Sequence, residues 1–261
     1  SEMCIRDRLK ERLSSMKVII PIVGNDTLEN NTDYMLSLYE IERKTIFQYC
    51  YDFLKPIENA EFIVVLRKQD IKMYHFDQIV KLLIPDAKIV VAEGDTKGSV
   101  CSSLLAIDYI NDDEPLVISS SNQLFLANTN DIINYFMEKD YDGGIVTFED
   151  IHPKFSFVKL DENGLVIEAA EKRPISKHAT AGFYYFKKGS DFIESAINMI
   201  AKDASVNGLF YLCPVYNEMI LKQKKIGIYS IDRNDYFLLK TQSGIDAYKQ
   251  YLKTERGKNN D

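Results

Sequence analysis

No apolar run in the 261-residue chain approaches the roughly 18 residues needed to span a bilayer, and no secretory leader is recognisable. The expectation is a soluble, cytoplasmic protein without a membrane span. Cysteine is scarce: Cys4, Cys50, Cys101 and Cys213 are scattered without a CxxC pair, which argues for reduced thiols against a disulfide framework or a zinc site. Histidine is scarcer still, at positions 75, 152 and 178, each read as structural or surface. Positive charge is in deficit, with 32 Lys and Arg against 39 Asp and Glu and a net charge of -7, so no nucleic-acid partner is expected. There is no internal repeat and no low-complexity linker, and one domain is the best count.

The chain is 46% hydrophobic, enough for one large core. Residues 1–15 (SEMCIRDRLKERLSS) are charged and read as an appendage or sequence-assembly artefact outside the fold, with Met16 as the start. Residues 16–252 form the domain, and 253–261 a flexible polar tail. Lys17–Val23 (KVIIPIV), Glu61–Leu66 (EFIVVL), Lys88–Ala92 (KIVVA) and Glu114–Ser121 (EPLVISSS) are short continuous apolar runs, the pattern of strands buried on both faces. Between them, Lys44–Leu54 and Phe76–Leu83 have helical spacing, the second stopped by Pro85. Strands alternating with helices at this pitch indicate a three-layer α/β sheet.

A different texture runs from Asp142 to Phe186. An apolar strand (Gly144–Phe148) is followed by strands Ser156–Leu160 and Leu165–Ala169, joined by Asp161-Glu-Asn-Gly164. Asn-Gly between alternating runs is the strongest short hairpin signal. Then come a charged corner, Glu171-Lys172-Arg173-Pro174, and a strand from Ala179 to Phe186. Glu171 beside Lys172 offers an acceptor for hydroxyls and a point charge for phosphate. The bland alternative is an exposed ion pair worth about 0–1 kcal/mol. Gly98, before a run of small residues, either lets a planar base stack close to backbone or lets a helix pack under the sheet. A late strand (Lys225–Ile231) and a closing helix from Ser243, which can act as its cap, to Leu252 complete the chain.

The segments GGIVTF (143–148), VKLDENG (158–164), EKRPIS (171–176), ATAGFYYF (179–186), TKGSVCSSLLA (96–106) and NGLFYLCPVYN (207–217) resemble, in this order except for the fifth, the family of sugar-phosphate nucleotidyltransferases, in particular its capsule-pathway cytidylyltransferase branch. The resemblance extends from about Met16 to about Leu252. It implies a Rossmann-like three-layer nucleotidyltransferase (GT-A-like) fold with a mixed central sheet and a small β-rich acceptor lobe. The implied reaction joins a nucleoside monophosphate from an NTP to a phosphorylated acceptor with Mg²⁺, for capsule or other surface-polysaccharide biosynthesis. The implied roles are acceptor binding for Gly144, Glu171, Lys172, Gly182 and Tyr184, with Lys172 on the acceptor phosphate. Gly24 and Gly98 would serve the nucleotide, and Asn122 the metal. A homo-oligomer is left open.

Departures from the family pattern are concentrated at the triphosphate. The glycine-rich loop after the first strand keeps only Gly24, has no Arg or Lys, and carries Asp26, Glu29 and Asp33, the wrong sign for a triphosphate. The next family lysine is missing, with Met35 or Leu36 nearest. Asn122 stands for a metal aspartate and can offer a neutral oxygen only. Leu238 falls near the second metal carboxylate, Asp232 and Asp235 coming too early, and Leu209 replaces a glutamate. A catalytically degenerate relative that binds a nucleotide-sugar or a partner subunit is therefore the second reading. A glycosyltransferase is a third, with Asp112-Asp113 as its metal motif.

Overall fold

The computed structural model describes residues 15–24, 27–28 and 31–258, with side chains described for 15–24 and 35–255. Asp26, Glu29 and the side chain of Asp33 lie outside this description, as do residues 1–14. The first strand, β1, opens at Met16 and runs to Ile22, and Ser15 donates to Glu114 at 3.1 Å.

In chain order, β1 is followed by two small hairpins, β2 (Thr27–Leu28) with β3 (Asn31–Met35) and β4 (Glu40–Ile41) with β5 (Lys44–Thr45). Helix α1 (Ile46–Leu54) follows, then β6 (Ala60–Arg67), α2 (Lys68–Tyr74), α3 (Phe76–Leu83) and β7 (Lys88–Ala92). Next come α4 (Ser99–Leu104), α5 (Ile107–Ile110), β8 (Leu116–Ser119), β9 (Gln123–Phe125) and α6 (Thr129–Glu138). Then follow β10 (Gly143–Glu149), β11 (Ser156–Leu160), β12 (Val166–Glu171) and β13 (His178–Phe186). The chain closes with α7 (Gly189–Ala201), α8 (Val215–Leu221), β14 (Ile226–Ser230), β15 (Tyr236–Leu238) and α9 (Gln242–Lys258).

Nine strands form one mixed sheet in the order β12-β11-β13-β8-β1-β6-β7, with β10 against β13 and β14. β1 runs parallel to β6 and β8, and β6 to β7, while β13 is antiparallel to β8, β10 and β11. Alternation along each strand divides the core. Val18, Ile20 and Ile22 pack with Phe47, Phe76 and Phe136 on one face, and Ile19, Ile63 and Val65 pack with Phe192 and Met199 on the other. Burial on both faces is why these strands read as unbroken apolar runs. The observed fold is the three-layer, mixed-sheet α/β class expected from the sequence.

Several local readings change. Lys44 and Thr45 belong to β5, and helix α1 starts at Ile46 because Thr45 caps it, accepting from the Gln48 amide at 3.2 Å. Helices α2, α6 and α7 have no counterpart among the segments read from the sequence. Asn128 opens α6 by accepting from the amides of Asn130 and Asp131. The last helix continues six residues past Leu252, to Lys258. The Asp161–Gly164 turn is built on Asp161, whose carboxylate accepts from the amides of Asn163 and Leu165, both at 2.9 Å. Only Gly164 there takes a left-handed φ, +80°.

Candidate active site

Ligands of open α/β sheets bind beyond the carboxyl ends of the parallel strands. Here β8 ends at Ser119 and leads into Ser120–Gln123, beside β13. Strand β13 pairs with β10 along its length from His178 to Phe186, with β11 through His178 and Ala179, and with β8 through Phe183–Phe186. Its register against β10 shifts between Ile145 and Thr147, and Gly182 turns the chain there with φ +72°. A Cβ at Gly182 would come within 2.8 Å of Gln123 and Ser120 side-chain atoms, and the Gly182 carbonyl accepts from the Ser120 amide at 2.8 Å. Gly182 therefore works beneath the floor, leaving room for Ser120 and Gln123. The resulting cavity of about 480 Å³ is of the size that takes a small-molecule ligand.

On one wall, Ser156 of β11 faces Glu171 of β12, and its hydroxyl donates to the Glu171 carboxylate. Burial pushes the Glu171 carboxyl above its ordinary range, against the opposing effects of this hydrogen bond and of the Lys172 charge. Lys172 has a left-handed backbone, φ 53°, which turns it out of the strand, and its amide donates to Phe155 at 3.0 Å. Its ammonium donates to the Tyr211 hydroxyl at 3.1 Å and lies 5.1 Å from that ring's centroid. Behind it, buried Tyr184 shares a hydrogen bond with Thr180 at 3.0 Å, and burial raises its phenol well above the ordinary value. Glu171, Lys172 and Tyr184 all line the cleft.

Tyr211 belongs to the segment that joins the two walls. Phe210, next to it, donates to Lys97 at 2.8 Å and accepts from Val100 at 3.1 Å. Gly98, at φ +99°, sits against it: a Cβ there would fall 2.4 Å from the Phe210 carbonyl oxygen. The glycine is thus demanded by close backbone approach, and it is Ser99, at the start of α4, that lines the cavity. Gly144 is a correction: it is not a cleft residue, and a Cβ on it would strike the Phe136 ring at 2.6 Å. Gly24 follows β1 at φ +104°; among the described residues nothing lies within 4 Å of a Cβ position there, and Gly24 is not among the residues that line the cavity.

Asn122 and Leu238 both line the cleft. Leu238 pairs with Gln123 between β15 and β9, Tyr236 donates to Gln123 at 2.6 Å, and the Asn122 carbonyl accepts from Leu239 at 2.9 Å. A Mg²⁺ site needs hard, charged oxygen ligands. These two positions supply one amide and one hydrocarbon, and no group of three or more Asp, Glu, His or Cys side chains suited to a metal occurs among the described residues. The donor set does not fit Mg²⁺. Met35 and Leu36, nearest to the missing lysine, are core residues. Asp113 is paired with Lys188 at 2.7 Å and Asp112 accepts from the Glu114 amide at 3.0 Å, at the opposite end of β8, so Asp112-Asp113 is not a cleft motif.

Several polar lining residues were not among the candidates read from the sequence, Lys154, Ser156, Lys240 and Thr241 among them. Lys154 precedes β11, Ser156 opens it, and Lys240 and Thr241 follow β15. No local motif marks the last two. Tyr211 had a signal, since it lies inside the NGLFYLCPVYN run.

A mixed α/β sheet with a polar cleft beyond the carboxyl ends of its parallel strands is of the Rossmann-like type. The chain belongs to the nucleotidyl transferase family, whose match spans residues 35–207. Solved structures with this fold include a nucleoside-diphosphate-sugar pyrophosphorylase from Vibrio cholerae RC9, with TM-score 0.74 and 21% identity over 90% of this chain and 99% of the other. A UDP-glucose pyrophosphorylase complexed with UDP-glucose aligns with TM-score 0.70 and 16% identity, over 92% of this chain and 99% of the other. No curated protein sequence matches. Among the described residues, no helix is long and apolar enough to cross a membrane.

Proposed function

We propose that this chain is a nucleotidyltransferase that joins a nucleoside monophosphate from an NTP to a sugar phosphate or similar acceptor, in the assembly of a capsule or other surface polysaccharide. The observation that carries the reading is the Glu171–Lys172 corner and the Ser99 helix start lining one cleft, linked through the Phe210–Tyr211 segment. An acceptor phosphate oxygen would attack the α-phosphorus of the NTP, forming a P–O bond as the bond to pyrophosphate breaks. For such transfer the protein's share is positioning and charge stabilisation. Lys172, steered by Tyr211, holds the acceptor phosphate, and Glu171 and Ser156 meet hydroxyls. Ser99 and the backbone at Gly98 border the base.

A second reading is favoured by Asn122 and Leu238 standing where charged groups are needed: a non-catalytic relative that binds a nucleotide-sugar in the same cleft. Pyrophosphate release, with each NTP paired with sugar phosphates, separates the two. Release with one NTP supports transfer. Absence of release, with a nucleotide-sugar still raising the unfolding temperature, supports the binding protein. Neither effect would sink both.

A further inference from the structure

Among the described residues, the charged side chains lining the cleft are Lys154, Lys172, Lys240 and Glu171. The three lysines come from the loop before β11, the corner after β12 and the turn after β15, separate parts of the chain. Among the described residues none of the three forms an ion pair, and the lining carboxylate, Glu171, hydrogen-bonds Ser156. In a chain of net charge -7, three unmatched ammonium groups around one cavity are a local reversal of sign. Such a wall concentrates anions and repels a dication.

For two of the lysines the side chain has a partner, and for the third the backbone sits in an ordered turn. Lys172 is fixed by Tyr211. Lys154 lies 4.9 Å from the Phe155 ring centroid. Lys240 sits in a tight turn in which Thr241 donates its hydroxyl to Leu238 at 3.0 Å and accepts from Gly244 at 3.1 Å, at the start of α9. Gly244 permits that turn, because a Cβ there would fall 1.9 Å from the Leu238 carbonyl oxygen. The one lining carboxylate, Glu171, is engaged by Ser156.

We propose that this cleft binds the phosphates of its ligand without a divalent cation, with Lys154, Lys172 and Lys240 supplying the charge for which the described lining residues offer no set of metal ligands. The proposal rests on the reading of the cleft as a phosphate-ligand site. Lys240 occupies the side of the cleft where Leu238 and Asn122 fail as metal ligands, and its ammonium is a cation of the chain itself that needs no carboxylates to hold it. Bringing Mg²⁺ in with the ligand would neutralise the anion that the lysines attract.

The test is titration of the full chain with inorganic pyrophosphate by calorimetry, in EDTA and in excess Mg²⁺, over a salt series. Expected are binding in EDTA at least as tight as in Mg²⁺ and weakening as salt rises. Lys240→Met and Lys154→Met should each weaken it about tenfold, the scale of one charge-assisted contact, while Lys240→Arg retains most of it. Unchanged unfolding temperatures for these exposed positions would establish that the variants fold. Binding only in Mg²⁺, or no loss in either methionine variant, overturns metal-free binding while leaving the phosphate-site reading intact. No binding of pyrophosphate in either condition overturns the phosphate-site reading itself.

Discussion

The amide of Leu239 donates to the carbonyl of Asn122 at 2.9 Å, tying the loop after β8 to the end of β15 at the cleft. With Gln123 opposite Leu238, this bond brings together two positions where a metal site would need carboxylates.

Restoring both charges should therefore convert the cleft. Asn122→Asp combined with Leu238→Asp is expected to make Mg²⁺ strengthen pyrophosphate binding about tenfold, or about 1.4 kcal/mol, at a stability loss of about 1–3 kcal/mol. Calorimetry with and without Mg²⁺ checks it. No Mg²⁺ response would mean that the two positions do not converge on one ion.

Glu171 carries a pH signature. Burial holds its carboxyl above the ordinary range, so the folded state prefers the protonated form. That contribution to stability is complete below the unfolded carboxylate pKa and is lost as pH rises through the folded value. Glu171→Gln removes the charge and keeps the shape. Its stability relative to the native chain should rise between about pH 4 and about pH 7.5, read from urea unfolding at the two pH values. A constant difference would contradict the assignment.

The two nucleotide-side glycines should behave differently. Gly98→Ala meets the Phe210 backbone, whereas Gly24→Ala meets nothing within 4 Å among the described residues. Both carry the strain of a positive φ, and only the first adds a collision with main chain. Gly98→Ala is expected to lose about 2 kcal/mol more stability than Gly24→Ala, measured by denaturant unfolding. Equal losses would mean that the Phe210 segment yields.

Tyr216 joins two strands from the buried face of α8. Its hydroxyl lies 2.8 Å from the Tyr185 carbonyl oxygen and 3.1 Å from that of Gly144, while its ring stacks on Phe186 at 4.8 Å. Tyr216→Phe keeps the stack and loses the hydroxyl, at an expected cost of about 1–2 kcal/mol. A neutral result in thermal unfolding would place those carbonyls among already satisfied groups.

The sequence by itself determined the layers. Unbroken apolar runs such as KVIIPIV specify strands covered on both faces, and an aspartate and a glycine in DENG specify a turn, because these are local periodicities and local backbone preferences. The corner Glu171-Lys172 was legible for the same reason, its two residues being adjacent. Tertiary structure alone decided which chemistry meets there. Lys154, Tyr211 and Lys240 reach the cleft from segments far apart in the chain, and nothing in the neighbours of Lys240 distinguishes it from a lysine matched to a carboxylate. Gly144 and Gly98 belong to motifs that suggest a ligand, yet their missing side chains are accounted for by Phe136 and the Phe210 backbone. Motif spacing records that a Cβ is not tolerated. Only the packed chain reveals what would have collided with it.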